Sequence, residues 1–124
     1  MPVRSLNSSV FKWPDRGQVD RAVRNWVTDV VRKHAGILRL GYFGSYARGD
    51  WSVGSDLDLV MIVESTDQPF EQRVAHWDLS SLPVPTQMIV YTAREWISMQ
   101  EAGGRFARTL AKETVWIFGQ DDRE

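Results

Sequence analysis

Two acidic residues and a Gly-Ser pair have the types and the spacing that could do chemistry in this chain. Asp56 and Asp58 stand directly before the apolar run "LVMIV", and ten residues separate Ser45, in the pair Gly44-Ser45, from Asp56. Alternate residues of a strand share a face, so we expect the two carboxylates to point the same way, about 6–7 Å apart. Carboxylates this close repel unless a cation lies between them, and Mg²⁺ takes such oxygen ligands together with substrate phosphates.

The Gly-Ser pair adds a place for phosphate oxygens. A glycine lets the backbone approach a ligand closely, and a serine at a helix N-terminus offers a hydroxyl and free amides. Arg48 follows on the same short helix and could reach a phosphate, although it could equally be an ordinary surface arginine. Together with the two acids, Gly44 and Ser45 predict a site for Mg²⁺ and a nucleoside triphosphate.

Each motif alone has a simpler interpretation. A lone Asp-x-Asp is usually a turn or a solvated strand end, and a lone Gly-Ser is usually a plain turn. Here both motifs adjoin apolar strands, and burying an unpaired carboxylate in such a strand is costly. The combination therefore favours a ligand site over two unrelated turns.

The elements that must position these residues follow from periodicity and capping signals. Apolar residues at helical spacing predict a helix from Gln18 to His34, with Gly36 as its C-terminal cap. Thr66 or Asp67 is expected to cap a helix that carries Phe70, Val74 and Trp77, and Thr92 to Glu95 match a capping box. The remaining predicted elements are strands in "ILRLGYFG", "SDLDLVMIV", "TQMIVY" and "VWIF", and helices opening at Ser45 and near Arg105.

This order predicts one α/β (α+β) domain over residues 1–124, a small mixed sheet flanked by helices, with residues 1–16 as an irregular N-terminal arm. The chain holds 124 residues with no cysteine, which excludes disulfides and thiolate metal sites. No signal-like N-terminal segment and no run of about 20 apolar residues is present, so we expect a cytoplasmic protein with no membrane partner. The net charge of −1 disfavours a long nucleic acid as partner, whereas a small phosphorylated ligand needs only local contacts.

The stretch "FGSYARGDWSVGSDLDLVMIV" resembles the signature of the polymerase-β-like nucleotidyltransferases: an apolar residue, Gly-Ser, a spacer, then Asp-x-Asp before an apolar strand. Within that superfamily the chain is most similar to the minimal nucleotidyltransferases, short prokaryotic proteins often encoded beside a HEPN-domain partner. The resemblance implies the polymerase-β-like nucleotidyltransferase fold. It also implies that Gly44 and Ser45 hold the triphosphate of a nucleotide, with ATP the expected one, and that Asp56 and Asp58 bind Mg²⁺. The implied reaction is attack of an acceptor hydroxyl on the α-phosphate, with pyrophosphate leaving.

One position departs from the family pattern. The family uses a third carboxylate on the third strand, and the matching residue here is Gln87, whose amide cannot accept a proton at neutral pH. Glu64, Asp78 and Glu95 are the acids considered as replacements, and none has the spacing to take its place. Transferase activity that is weak, lost or completed by a partner is therefore one interpretation of the chain.

Three functions remain open at this point. The first is a nucleotidyltransferase that modifies a hydroxyl, with a partner protein as a candidate acceptor. The second is a catalytically impaired nucleotide- or partner-binding module of the antitoxin kind, which Gln87 favours. The third is a structural domain in which Asp56 and Asp58 are inert to Mg²⁺. Trp51, in the loop between the two motifs, is the tryptophan expected to cover a nucleotide base.

Overall fold

A computed structural model describes residues 13–119 of the chain. The elements, in chain order, are α1 (Arg16–Lys33), β1 (Ile37–Phe43), α2 (Ser45–Arg48), β2 (Leu57–Val63), a 3₁₀ helix (Phe70–His76), β3 (Thr86–Thr92), α3 (Ala93–Ala102), α4 (Arg105–Glu113) and β4 (Val115–Phe118). The α/β class and the small mixed sheet flanked by helices are as predicted. None of the helices between residues 13 and 119 is both long and apolar enough to cross a lipid bilayer.

The four strands form one sheet in the order β3-β2-β1-β4. β1 is antiparallel to both β2 and β4, whereas β2 and β3 are parallel. The pairing places Asp58 of β2 opposite Phe43 of β1 and also opposite Gln87 of β3. Paired residues on adjacent strands point to the same face, so Gln87, Asp58 and Phe43 form a row across three strands at one end of the sheet.

One face of the sheet packs against α1 and holds the main core. Alternate residues of β2 point to this face, beginning with Leu57, and α1 supplies an apolar stripe at helical spacing. Asp15 caps the start of α1 and forms a capping box with Gln18. The buried cluster contains Val19, Val23, Trp26, Val27 and Val30 of α1 with Leu40, Tyr42, Leu57, Leu59, Met61, Val63, Met88 and Val90 of the strands.

The opposite face of the sheet lies under α3 and α4. Trp96 of α3 contacts Tyr91 of β3, with ring centroids 6.0 Å apart, and Phe106 of α4 contacts Phe43 of β1 at 5.9 Å. The capping box predicted at Thr92 is present and starts α3. This face also carries the row that contains Asp58, so α3 and α4 set the surroundings of the candidate site.

Several predicted boundaries are wrong. α1 ends at Lys33 and is capped by His34, while Gly36, at φ 91°, lies in the turn that leads into β1. β2 begins at Leu57, so Asp56 precedes the strand and is not part of it. Of the expected N-terminal arm, residues 1–12 lie outside the described residues, and the helix begins at Arg16.

The helix expected after Thr66 or Asp67 is a 3₁₀ helix that begins after Pro69 and ends before Trp77. Arg73, at its centre, is buried, and its guanidinium donates hydrogen bonds to the carbonyl oxygens of Gln68 and Val90. These bonds hold the tight helix against β3, a long-range contact that local apolar spacing does not encode.

Candidate functional site

A glycine turn joins β1 to α2 and forms one side of the site. Gly44 lies at φ 81° and ψ −152°, a region that only glycine adopts without strain. Ser45 opens α2, and the Arg48 amide donates to the Gly44 carbonyl oxygen at 2.9 Å. The predicted Gly-Ser turn at a helix start is therefore present, and α2 is a single turn.

Asp58 lies directly against this turn. A Cβ atom at Gly44 would overlap with Oδ2 of Asp58, so the absence of a side chain at Gly44 is what lets the carboxylate occupy its position. Gly44 therefore serves two purposes, the backbone conformation and the close approach of Asp58. The two motifs, separate in the sequence, meet here through the pairing of Phe43 with Asp58.

Asp56 and Gln87 lie beside Asp58 at the edge of the row. Asp56 is exposed and directly precedes β2, whose first amide, that of Leu57, donates to the carbonyl oxygen of Pro85 at 2.8 Å. Nε2 of Gln87 donates a hydrogen bond to Oδ2 of Asp56 at 3.1 Å. Gln87, which the sequence resemblance predicts to stand at the position of a third carboxylate, thus contacts one of the two acids.

The charges in the site are poorly balanced. Burial raises the pKa of Asp58, the nearby charge of Asp56 raises it further, and the guanidinium of Arg48 partly offsets both effects. A carboxylate that is half-buried beside a second carboxylate is stabilised in its charged form by a cation. The electrostatics of Asp56 and Asp58 therefore fit a metal ligand pair better than a structural pair.

The side-chain oxygens in the site are of the kind that Mg²⁺ binds. Asp56 and Asp58 offer carboxylate oxygens, and the amide of Gln87 has an oxygen besides the nitrogen that it donates to Asp56. Among residues 13–119, no three His, Cys, Asp or Glu side chains come together into a group that could hold a metal. The arrangement suits an ion bound by two carboxylates and completed by phosphates and water, as Mg²⁺ commonly is.

Arg48 faces the site from α2 but is already engaged. Its guanidinium pairs with Asp50 at 3.0 Å and with Glu113, at the end of α4, at 3.4 Å. The Arg48 side chain is 46% exposed, so these ion pairs are weak and can exchange for a phosphate. Arg48 therefore links α2, α4 and the acids of the site through charge.

The other acids considered as replacements lie elsewhere. Glu95 accepts hydrogen bonds from both terminal nitrogens of Arg73, at 2.6 and 3.0 Å. Asp78 accepts from the backbone and the hydroxyl of Ser80, and Glu64 follows the far end of β2. The structure therefore agrees with the prediction from sequence spacing that none of these three acids replaces the third carboxylate.

Sequence reasoning missed two residues that border the site. Glu113 pairs with Arg48, and Phe106 packs on Phe43 beside Asp58. Both belong to α4, which is far from the two motifs in sequence, and no local pattern places it there. Trp51, expected over a base, stacks on buried Tyr46 and packs against the core on the α1 side.

Comparison with known proteins agrees with this geometry. The family of nucleotidyltransferase domains matches residues 23–119, whereas no curated protein matches the chain. A candidate nucleotidyltransferase from Sulfolobus solfataricus has a similar structure, with a TM-score of 0.58 at 19% identity over 82% of this chain and 80% of that one. A toxin–antitoxin structure with AMP-PNP is also similar, with a TM-score of 0.51 at 13% identity over 79% of this chain and 74% of that one. These identities show the fold, and the match over residues 23–119 shows that the chain belongs to the nucleotidyltransferase domain family.

Proposed function

We propose that this protein binds a nucleoside triphosphate with Mg²⁺, ATP in the first instance, and transfers its nucleotidyl group to a hydroxyl acceptor. The observation that carries the proposal is the contact between the Gly44 turn and the carboxylate of Asp58. It joins a place for phosphates to a place for a cation, which is the combination that a metal-bound triphosphate needs.

Each residue has a defined part in this proposal. The Gly44-Ser45 turn holds the triphosphate through its backbone amides and the Ser45 hydroxyl, and Arg48 exchanges an ion pair for a phosphate oxygen. Asp56 and Asp58 would hold Mg²⁺. When bound, Mg²⁺ neutralises negative charge on the phosphates and on the leaving pyrophosphate.

The transfer forms one bond and breaks one. The acceptor oxygen bonds to the α-phosphorus while the bond from that phosphorus to the pyrophosphate oxygen breaks, and the hydroxyl proton must leave. Gln87 cannot accept this proton, because an amide is not a base at neutral pH. The proton therefore passes to water or to a group on the acceptor, and the reaction proceeds slowly unless a partner supplies a base.

A second candidate function is a nucleotide- or partner-binding module with impaired catalysis. The hydrogen bond from Gln87 to Asp56 favours it, because an amide occupies the place of the third carboxylate. The similar toxin–antitoxin structure supports a paired role, and the resemblance to minimal nucleotidyltransferases makes a HEPN-domain protein the proposed partner. Both candidates keep the nucleotide site and a cytoplasmic location, where nucleoside triphosphates are available.

Calorimetric titration of ATP tests the site that both candidates share. We expect binding that requires Mg²⁺ and weakens at least about 10-fold in Asp58→Asn, which removes a charge that the cation needs. Asp67→Asn is the matched control, since Asp67 is an exposed acid in the loop after β2, and it should bind like the wild type. Absence of binding at millimolar ATP with Mg²⁺ would overturn the proposal.

A further inference from the structure

Phe106 is an exposed aromatic residue beside the candidate site. It is 44% exposed at the start of α4, and its ring meets that of Phe43 at 5.9 Å with an interplanar angle of 76°. This edge contact leaves much of the ring open to solvent. Single exposed apolar side chains are common on protein surfaces, so the exposure of Phe106 is informative only because the ring lies beside the candidate site.

The position of Phe106 connects it to the two acids. Phe43, on which it packs, pairs with Asp58 across β1 and β2, and the two side chains share a face of the sheet. One strand spacing of about 4.8 Å therefore lies between the positions of Asp58 and Phe43, and a ring contact separates Phe43 from Phe106. The two steps together come to about 10 Å, a distance that a metal ion, the α-phosphate and the ribose can span together between Asp58 and a base.

Trp51 is less suited to contact a base. It stacks on Tyr46 at a centroid distance of 5.6 Å and an interplanar angle of 10°, so one face of its indole is covered. Tyr46 belongs to the core on the α1 side of the sheet and the partly buried Trp51 packs against that core, whereas Asp58, Phe43 and Phe106 lie on the other face.

We propose that Phe106 is the stacking platform for the nucleotide base, and this inference rests on the proposed function. An aromatic ring stacks on any base through its π-face, and more strongly on the larger purines. Recognition by stacking alone does not read the hydrogen-bonding edge of a base. The site then binds ATP and GTP with similar affinity and prefers both to CTP and UTP.

The test compares ATP with inorganic tripolyphosphate, which carries the phosphates without ribose or base. Both are titrated with Mg²⁺ into the wild type, Phe106→Leu and Phe106→Trp. We expect Phe106→Leu to weaken ATP binding by about 5- to 150-fold, the range measured for loss of one stacked base, and to leave tripolyphosphate binding unchanged. Phe106→Trp keeps an aromatic face and should retain the ATP affinity.

Phe70→Leu is the matched control. Phe70 is also an exposed phenylalanine, 49% exposed, and it packs on Tyr91 near the far end of β3, away from the row at Asp58. It should bind both ligands like the wild type.

Unchanged ATP affinity in Phe106→Leu would overturn the inference and leave the proposed function standing. An equal loss for ATP and tripolyphosphate would also overturn it, since Phe106 would then support the fold of the site. A loss for ATP alone in Trp51→Leu, with none in Phe106→Leu, would assign the platform to Trp51. If the wild type binds neither ligand, the proposed function itself fails.

Discussion

Replacing Gln87 by glutamate tests the site through a change of charge at constant size. In the wild type, Nε2 of Gln87 donates to Oδ2 of Asp56 at 3.1 Å. A glutamate oxygen at that separation would repel Asp56 by about 1 kcal/mol in bulk water and about 5 kcal/mol at an effective dielectric constant of 20. Both residues are exposed, so we expect the lower value, and Gln87→Glu without metal should melt about 4 °C below the wild type.

Magnesium should reverse this effect. A cation held by Asp56 and Asp58 attracts the new carboxylate, so Mg²⁺ should raise the melting temperature of Gln87→Glu more than that of the wild type. The assay is thermal unfolding by circular dichroism at low salt, first with a chelator and then with Mg²⁺. Gln87→Met is the control, because it removes the hydrogen bond without adding charge. An equal Mg²⁺ response in Gln87→Glu and wild type would refute the placement of the three side chains around one ion.

The same variant separates the two candidate functions. A carboxylate at position 87 can take the acceptor proton, and a positioned general base contributes about 10²- to 10⁴-fold to a rate. We therefore expect Gln87→Glu to transfer labelled nucleotide from ATP faster than the wild type. Equal rates would show that a missing base does not limit the natural protein.

Two further predictions test the structure around the site. Gly44→Ala should lose about 1–3 kcal/mol of stability and also Mg-ATP binding, because φ is 81° and a Cβ overlaps with Asp58. Gly54→Ala is the control, because Gly54 is at φ 92° but an added Cβ would meet no neighbouring atom, so this variant should lose stability and keep Mg-ATP binding. Urea unfolding measures the stability of the two variants, and ATP titration measures their binding. Hydrogen bonds from Arg73 lower the pKa of Glu95 from 4.5 to about 2, so their stabilisation is present above pH 4.5 and lost as pH falls toward 2. Because 43% of the Glu95 side chain is exposed, urea unfolding between pH 7 and pH 3 should show a loss of about 1 kcal/mol that Glu95→Gln lacks.

Features set by neighbouring residues could be predicted from the sequence. The apolar stripe of α1, the capping box at Thr92 and the Gly-Ser turn all appear in the structure. Each depends on a spacing of a few residues, so the physical cause lies within the segment that shows the pattern. The conformation of Gly44 is of this kind, since the turn requires an angle that only glycine adopts freely.

Features set by long-range contacts could not be predicted from the sequence. Arg73 lies at the centre of a segment whose apolar spacing predicts a helix, and nothing in that segment predicts that Arg73 is buried. Its burial depends on hydrogen bonds to Val90 and Glu95, which are far along the chain. Phe106 and Glu113 reach the site through the packing of α4 on the sheet. Helical periodicity identifies α4 but does not say which strand end it covers.

The strand register is the step that decides how the site should be interpreted. From the sequence, Gln87 corresponds to the missing carboxylate only by its resemblance to a family pattern, and a shift of one residue would turn its side chain to the other face. The parallel pairing places Gln87 beside Asp58, and the hydrogen bond to Asp56 fixes its amide in the same group. The exposed amide of Gln87 therefore belongs to the same group of side chains as Asp56 and Asp58 in the candidate site. Whether this protein is a slow transferase or a binding module depends on what an amide does at that position, which the charge change at Gln87 measures directly.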